Sequence, residues 1–214
     1  MSQTVWIARH ANREDFVNPG WFNGAERPYD PPLSADGLVQ ARQLAQRLKD
    51  SKISGIFASP FLRTTQTAHI VAETLSLPLK LEWGLCEWLN PDWMDSDPQT
   101  QSLEALAAQF PRIDMGYHSR IKPKYPETER DCMARAGESA RLLAAEFTGD
   151  ILLVGHGAST IGMTMGLVSG LATTDINATL CCLVKVVRQE AKWFMELNGD
   201  TSHLTQTESV IRFN

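Results

Sequence analysis

Short apolar runs alternate with amphipathic stretches along the chain. Residues 4–8 (TVWIA) are apolar and β-rich and read as a buried strand. Residues 9–33 follow with four prolines, two glycines and no sustained period, which predicts a long loop of functional kind. Ser34 then caps a helix over 35–50, whose Leu38, Ala41, Leu44, Ala45 and Leu48 form one apolar stripe. Residues 53–58 (ISGIFA) predict a second strand. Ser59-Pro60 opens a helix over 61–75, with Pro60 placed in its first turn, where a missing N–H costs nothing.

A third strand is expected at 79–83. Residues 90–126, rich in Pro, Asp, Ser and Gln, read as an excursion or cap with one short helix at 102–109. A helix follows over 127–147. Residues 150–154 (DILLV) are the clearest buried strand, and Gly155 breaks it ahead of a helix over 158–168. Strands at 179–187 and 192–197, joined by a turn at 188–191, close the chain as an antiparallel edge. Strands alternating with helices predict an α/β three-layer sandwich, a mostly parallel central sheet with helices on both faces. No internal repeat is visible, and the 214 residues suit a single domain, with a flap at about 14–33 and a cap at about 88–126.

With 43% apolar and 21% charged residues, the chain is neither disordered nor fibrous. Its net charge of −5 argues against general nucleic-acid binding, which relies on basic surface. No apolar run spans a bilayer and the N-terminus lacks the features of a signal peptide, so no membrane partner and a cytoplasmic location are expected. Cys86, Cys132, Cys181 and Cys182 form no CxxC pair and read as buried thiols of a reducing compartment, with Cys181 and Cys182 on opposite faces of a strand.

In open α/β sheets ligands bind beyond the C-terminal ends of the strands. At those ends stand Arg9, His10 and Arg13, then Ser59 and Arg63, then Glu87 and Trp88, then Gly155, His156 and Gly157. Each alone is a weak signal; a lone Gly-His-Gly is more often a plain turn. Together they describe a site for a phosphoryl group. Arginine forks match its oxygens in bidentate fashion, and three arginines with a protonated histidine neutralise the charge that spreads during transfer. A neutral imidazole can attack phosphorus, and a carboxylic acid can protonate the departing oxygen and then, as its conjugate base, activate water. Two histidines and a carboxylate also suggest a metal, but three arginines would repel the cation. No GxSxG, GxGxxG or GxxxxGKS/T is present, and no cofactor is called for.

The sequence around these residues resembles the histidine phosphatase superfamily, the phosphoglycerate-mutase-like proteins. Ala8-Arg9-His10-Ala11 is similar to its Arg-His-Gly signature. Pro32-Leu33-Ser34-Ala35-Asp36-Gly37 resembles the entry to its first helix. Ser59-Pro60-Phe61-Leu62-Arg63-Thr64-Thr65-Gln66-Thr67-Ala68 matches its S-P-x-x-R-x-x-Q-T-A segment, and Val154-Gly155-His156-Gly157 its V-x-H-G segment. The resemblance implies His10 as the nucleophile that becomes phosphorylated, Glu87 as proton donor, and Arg9, Arg63 and His156 as ligands of the phosphoryl oxygens. Arg13, four residues after Arg9, resembles the R-H-G-E-R pattern of the Sts-type tyrosine phosphatases and ecdysteroid-phosphate phosphatases. The Ser-x-Trp-Asn of the mutase branch is missing. Metal-independent hydrolysis of a small-molecule or protein phosphomonoester is therefore expected, by a catalytic domain alone, ahead of mutase-type transfer or a weakly active phosphate-binding module.

Ala11 stands where the family has glycine, and Asn12 where it has an acid, which puts the conformation of the loop and the hold on Arg13 in question. Phe16, Trp21, Phe22, Tyr29, Trp88 and Trp93 either line a pocket for an aromatic or apolar leaving group or pack the cap onto the sheet. His69, His118 and His203 are expected to be structural or on the surface. Attack needs His10 neutral and departure needs Glu87 protonated, so a bell-shaped rate near or below neutral pH is expected.

Overall fold

The computed structural model describes residues 2–206. Six strands form one sheet: β1 (Gln3–Arg9), β2 (Ile53–Ala58), β3 (Leu79–Leu81), β4 (Asp150–Gly155), β5 (Leu183–Gln189) and β6 (Lys192–Asp200). Their order is β3-β2-β4-β1-β5-β6. The first four strands run parallel; β5 and β6 add antiparallel to the β1 side. Alternation along β1 divides the core: Trp6 and Ala8 face one layer and Val5 and Ile7 the other. On the first face Leu44, Leu48 and Val71 pack from α2 (Ala35–Leu48) and α3 (Leu62–Leu75). On the second, Ala140, Leu143 and Met163 pack from α5 (Glu129–Glu146) and α6 (Gly157–Leu167). This is the expected sandwich. The two remaining helices are short: α1 (Glu14–Val17) within the 9–33 loop and α4 (Leu103–Gln109) within the excursion.

Several local elements differ from the expectation. The 9–33 loop also holds a 3-10 turn at Trp21–Asn23. Phe61 is the N-cap of α3, so Pro60 precedes the helix rather than sitting in its first turn. The third strand stops at Leu81, because the buried Glu82 carboxylate accepts the Gly84 N–H (2.9 Å) and bends the chain into a 3-10 turn at Trp83–Leu85. The same carboxylate takes the Tyr117 hydroxyl (2.7 Å), the Ser119 hydroxyl (2.6 Å) and the Arg120 N–H (2.8 Å), anchoring the excursion. The excursion also covers the β3 edge through a bridge between Leu79 and Ile113.

Helix α2 ends at Leu48 rather than residue 50. Helix α5 starts at Glu129, not 127, since the Thr128–Asp131 capping box sets its first turn. Cys181 and Cys182 are not on a strand: they lie in the turn before β5, Cys181 with φ 54°. The hairpin turn is tighter than expected, because Gln189 pairs with Lys192 across Glu190 and Ala191.

Register assembles the site. Arg9 pairs with Gly155 across β1 and β4, and the His10 N–H donates to the Gly155 carbonyl (2.9 Å). The next residue on each strand is therefore His10 on one side and His156 on the other. Ala58 is level with Val154, and the Ser59 N–H donates to the Val154 carbonyl (3.0 Å).

Candidate active site

His10 is fully buried. Its Nδ1 lies 2.8 Å from the Ala11 carbonyl, and Nε2 has no hydrogen-bond partner among the described residues. With the Nδ1 proton given to that carbonyl, the neutral ring presents a lone pair at Nε2. The His10 and His156 rings meet edge-on with centroids 5.3 Å apart. One nitrogen of each ring and one oxygen of Glu87 fall within 4.8 Å of one another.

His156 is the N-cap of α6. Its Nε2 lies 2.9 Å from the Ser59 hydroxyl, and its Nδ1 is 3.4 Å from Glu87 Oε2. The same Glu87 oxygen is 3.6 Å from Arg63 Nη2, and the other carboxylate oxygen accepts the Trp88 N–H (3.0 Å). Arg63, in the first turn of α3, donates from Nη1 to the Tyr29 carbonyl (3.2 Å) and has its guanidinium over the Phe61 ring at 4.8 Å. Arg9 is buried and donates to the Ala178 carbonyl (2.7 Å) in the turn before β5. Arg13 is held by Asp15: its Nε donates at 2.6 Å and its Nη2 closes the second arm of a bidentate pair. The face of Phe16 lies 4.4 Å from the Arg13 guanidinium carbon.

Charge and burial set the protonation states. Burial, then the charges of Arg63, Arg9 and Arg13, hold His10 well below the ordinary imidazole value. Burial, then Arg63, does the same to His156, so the protonated histidine expected among the arginines is a neutral one in the unliganded site. Burial, then Arg13, pulls Arg63 down to about 10, still charged at neutral pH. Both histidines stay neutral when folded yet protonate near about 6.5 when unfolded. The unfolded chain therefore binds more protons below that value. Stability is full above it and declines as pH falls toward the depressed folded values. We expect the melting temperature to drop between pH 7 and pH 5; a constant value over that range would contradict neutral burial.

The loop itself is built from α2. The Asn12 N–H donates to Gln40 Oε1 (2.9 Å), its amide donates to Asp36 Oδ2 (2.8 Å), and its Oδ1 accepts the Arg13 N–H (3.0 Å). Asn12 thus fixes the Arg13 backbone, while Asp15 supplies the carboxylate absent at position 12. Ala11 has no positive φ; among the described residues only Ser76, Cys181 and Glu190 do so without being glycine. Its Cβ therefore carries no left-handed strain. Gly37 is where the loop does demand glycine, since a Cβ there would lie 2.0 Å from the Asn12 carbonyl oxygen. Gly37→Ala is expected to cost about 1–3 kcal/mol by overpacking and to lower activity with it. An unchanged melting temperature would show that the loop has room to retreat.

A cavity of about 300 Å³ opens over the site, lined by Arg13, Phe16, Phe22, Tyr29, Arg63, Glu87 and Trp93 among others. Four of the six aromatics singled out from the sequence thus reach it. Trp88 lines a neighbouring apolar cavity with Ile161 and Ile176, and packs edge-on against Trp93 at 5.0 Å. Trp21 lines neither of these cavities and donates to the Pro28 carbonyl (2.8 Å).

Residues 5–201 match the histidine phosphatase superfamily (branch 1). The chain belongs to that family. The transcription factor tau 55 kDa subunit of Saccharomyces cerevisiae is 32% identical over 97% of this chain and 57% of its own length. The human ubiquitin-associated and SH3 domain-containing protein A is 32% identical over 77% of this chain and 28% of its own. The chain thus spans only part of these relatives. A crystal structure of the ecdysone phosphate phosphatase from Bombix mori, in complex with tungstate, superposes with a TM-score of 0.76 at 20% identity, covering 99% of this chain and 98% of that one. The fold is that of a histidine phosphatase, an enzyme family, and it is consistent with phosphomonoester hydrolysis through a phosphohistidine.

The six residues expected to handle the phosphoryl group, Arg9, His10, Arg13, Arg63, Glu87 and His156, are all buried here. His69, His118 and His203 lie outside. His69 meets Phe110 at 5.2 Å, His118 is exposed, and His203 Nε2 is 3.1 Å from the Cys181 carbonyl. The sequence reading overlooked Asp15 and Asp30. Buried Asp30 accepts the Leu62 N–H (2.6 Å) at the head of α3. Burial raises its carboxyl, and the charge of Arg63 pulls it back. Asp15 carried a signal, being an acid two positions after an arginine that needed a partner.

Proposed function

We propose that this chain is a metal-independent phosphomonoesterase in which His10 carries the phosphoryl group. The observation behind it is the neutral, buried His10 ring, whose Nε2 has no hydrogen-bond partner among the described residues and which lies under the charges of Arg63, Arg9 and Arg13. The guanidiniums bind the non-bridging oxygens, and His156, oriented by Ser59, adds a donor. Nε2 attacks phosphorus as Glu87 protonates the leaving oxygen; Glu87 as carboxylate then activates the water that cleaves the phosphohistidine. His10, His156 and Glu87 are close enough to ligate a cation, but the arginine charge felt at both rings opposes one. Turnover of p-nitrophenyl phosphate in excess EDTA is expected. Strict dependence on an added divalent cation would overturn the reading.

The leaving group we infer is aromatic, small-molecule or protein-borne, since Phe16, Phe22, Tyr29 and Trp93 line the mouth. These rings suit a sugar acid poorly, which counts against the mutase alternative. A strained Ala11 would favour a weakly active phosphate-binding module, but Ala11 has no positive φ and lends that alternative no support. We propose one domain over 1–214, with the flap and cap both serving this site. Four buried free thiols favour a reducing, cytoplasmic setting. No helix among the described residues is long and apolar enough to cross a membrane.

The depressed His10 pKa also refines the pH expectation. The acid limb of kcat/KM belongs below 6.5, because His10 stays neutral there. A fall in rate already under way between pH 7.5 and 6.5 would contradict it.

A further inference from the structure

Glu87 sits in a stretch that no helix or strand ladder holds. Residues 86–90 follow the 3-10 turn at Trp83–Leu85 and have no regular structure. Their backbone is gripped instead from α5. Arg135 donates from Nη1 to the carbonyls of Gly84 (2.9 Å) and Cys86 (3.2 Å), and from Nη2 to the carbonyl of Glu87 itself (3.1 Å). Its Nε and Nη2 meet the two carboxylate oxygens of Glu127 at 2.6 and 2.8 Å. Glu127 completes the grip. Its N–H donates to the Leu89 carbonyl (2.9 Å), its Oε2 accepts the Leu89 N–H (3.3 Å), and its carbonyl accepts the Trp88 indole N–H (2.9 Å). Both side chains are buried.

We propose that Arg135, clamped by Glu127, is a positioning residue that sets where the Glu87 carboxyl points. The proposal rests on Glu87 being the proton donor. A buried ion pair is weak support for stability, since desolvation of both charges offsets their attraction. What this pair supplies is geometry, because one planar fork fixes the carbonyls of Gly84, Cys86 and Glu87 around a single functional side chain. Arg135 touches the Glu87 backbone and not the reacting atoms, so it acts only through Glu87. Its place in the chain is also telling. Position 135 lies in the buried stripe of α5 with Cys132, Ala136, Ser139, Ala140 and Leu143, where an unpaired arginine would be costly.

The test compares kcat/KM for phenyl phosphate, whose leaving group needs a proton, with p-nitrophenyl phosphate, whose leaving group hardly does. Arg135→Lys keeps the charge beside Glu127 but loses the fork. We expect it to lower kcat/KM for phenyl phosphate by about tenfold or more, part of what a general acid supplies. For p-nitrophenyl phosphate the loss should stay within about threefold, and inhibition by inorganic phosphate should not change, because Arg9, Arg13 and Arg63 are untouched. The double variant Glu127→Gln/Arg135→Gln removes both buried charges together and should show the same selectivity, so a failure of Arg135→Lys to fold would not end the test. Equal losses on both substrates, or none on either, would overturn the proposal. Glu87→Gln is the reference. If it shows the leaving-group selectivity and the Arg135 variants do not, Arg135 is structural only. If Glu87→Gln lacks it too, the proton-donor assignment fails and takes this proposal with it.

Discussion

Replacing His10 by alanine is expected to lower turnover of p-nitrophenyl phosphate by about four orders of magnitude or more, the scale seen when a covalent nucleophile is removed. No neighbour can take over. His156 is turned by the Ser59 contact at its Nε2, which leaves Nδ1, 3.4 Å from Glu87, as the donor to the phosphoryl oxygens rather than a second nucleophile. The fold should survive. The backbone of His10 stays paired to Gly155 and Cys181 through its own N–H and carbonyl, neither of which needs the ring. Binding should survive as well, because the three guanidiniums remain, and inorganic phosphate should still protect the variant against thermal unfolding. Loss of activity with retained phosphate binding is the signature to look for. Loss of both would mean that the ring is needed to shape the pocket.

Glu87→Gln is expected to give the second large effect, in two separable parts. The amide preserves shape but can neither give up a proton to the leaving oxygen nor take one from water. For phenyl phosphate kcat/KM should fall by about 10²–10⁴-fold, the usual worth of a general acid, and for p-nitrophenyl phosphate much less. The second part appears after the first turnover. With the good leaving group, phosphorylation still proceeds while hydrolysis of the phosphohistidine is slow, so a burst of p-nitrophenol near one equivalent should precede a slow steady state. A linear time course from the first turnover, with unchanged kcat, would remove Glu87 from the water-activating step.

What the sequence showed follows from what is local. The DILLV strand and the apolar stripe of the first long helix depend on residues a few positions apart, and both appear, the strand running through Gly155 rather than breaking there. Arg9, His10 and His156 were legible because they stand at strand ends, with Arg63 in the helical turn after β2, and a parallel sheet gathers such ends on one side; Glu87 lies beyond the 3-10 turn that follows β3, so no strand end places it. The unread parts are contacts between distant segments. Ser59 meets His156 across 97 positions, and Glu82 gathers donors from residues 117–120. Neither pairing leaves a periodic trace. The neutral state of His156 was equally hidden, because it depends on burial and on three arginines contributed by other parts of the chain. Glu127 and Arg135 were the nearest to readable. An arginine in the small-residue face of α5 conflicts with its surroundings, and such a conflict marks a residue held there for a partner.

The most direct test of the central claim is to quench the wild-type enzyme during turnover of p-nitrophenyl phosphate, keep it alkaline, and map the phosphorylated residue by mass spectrometry. A single phosphohistidine at His10, absent from the His10→Ala variant, is the expected result. Phosphate on any other residue, or steady turnover undiminished in His10→Ala, would contradict the account.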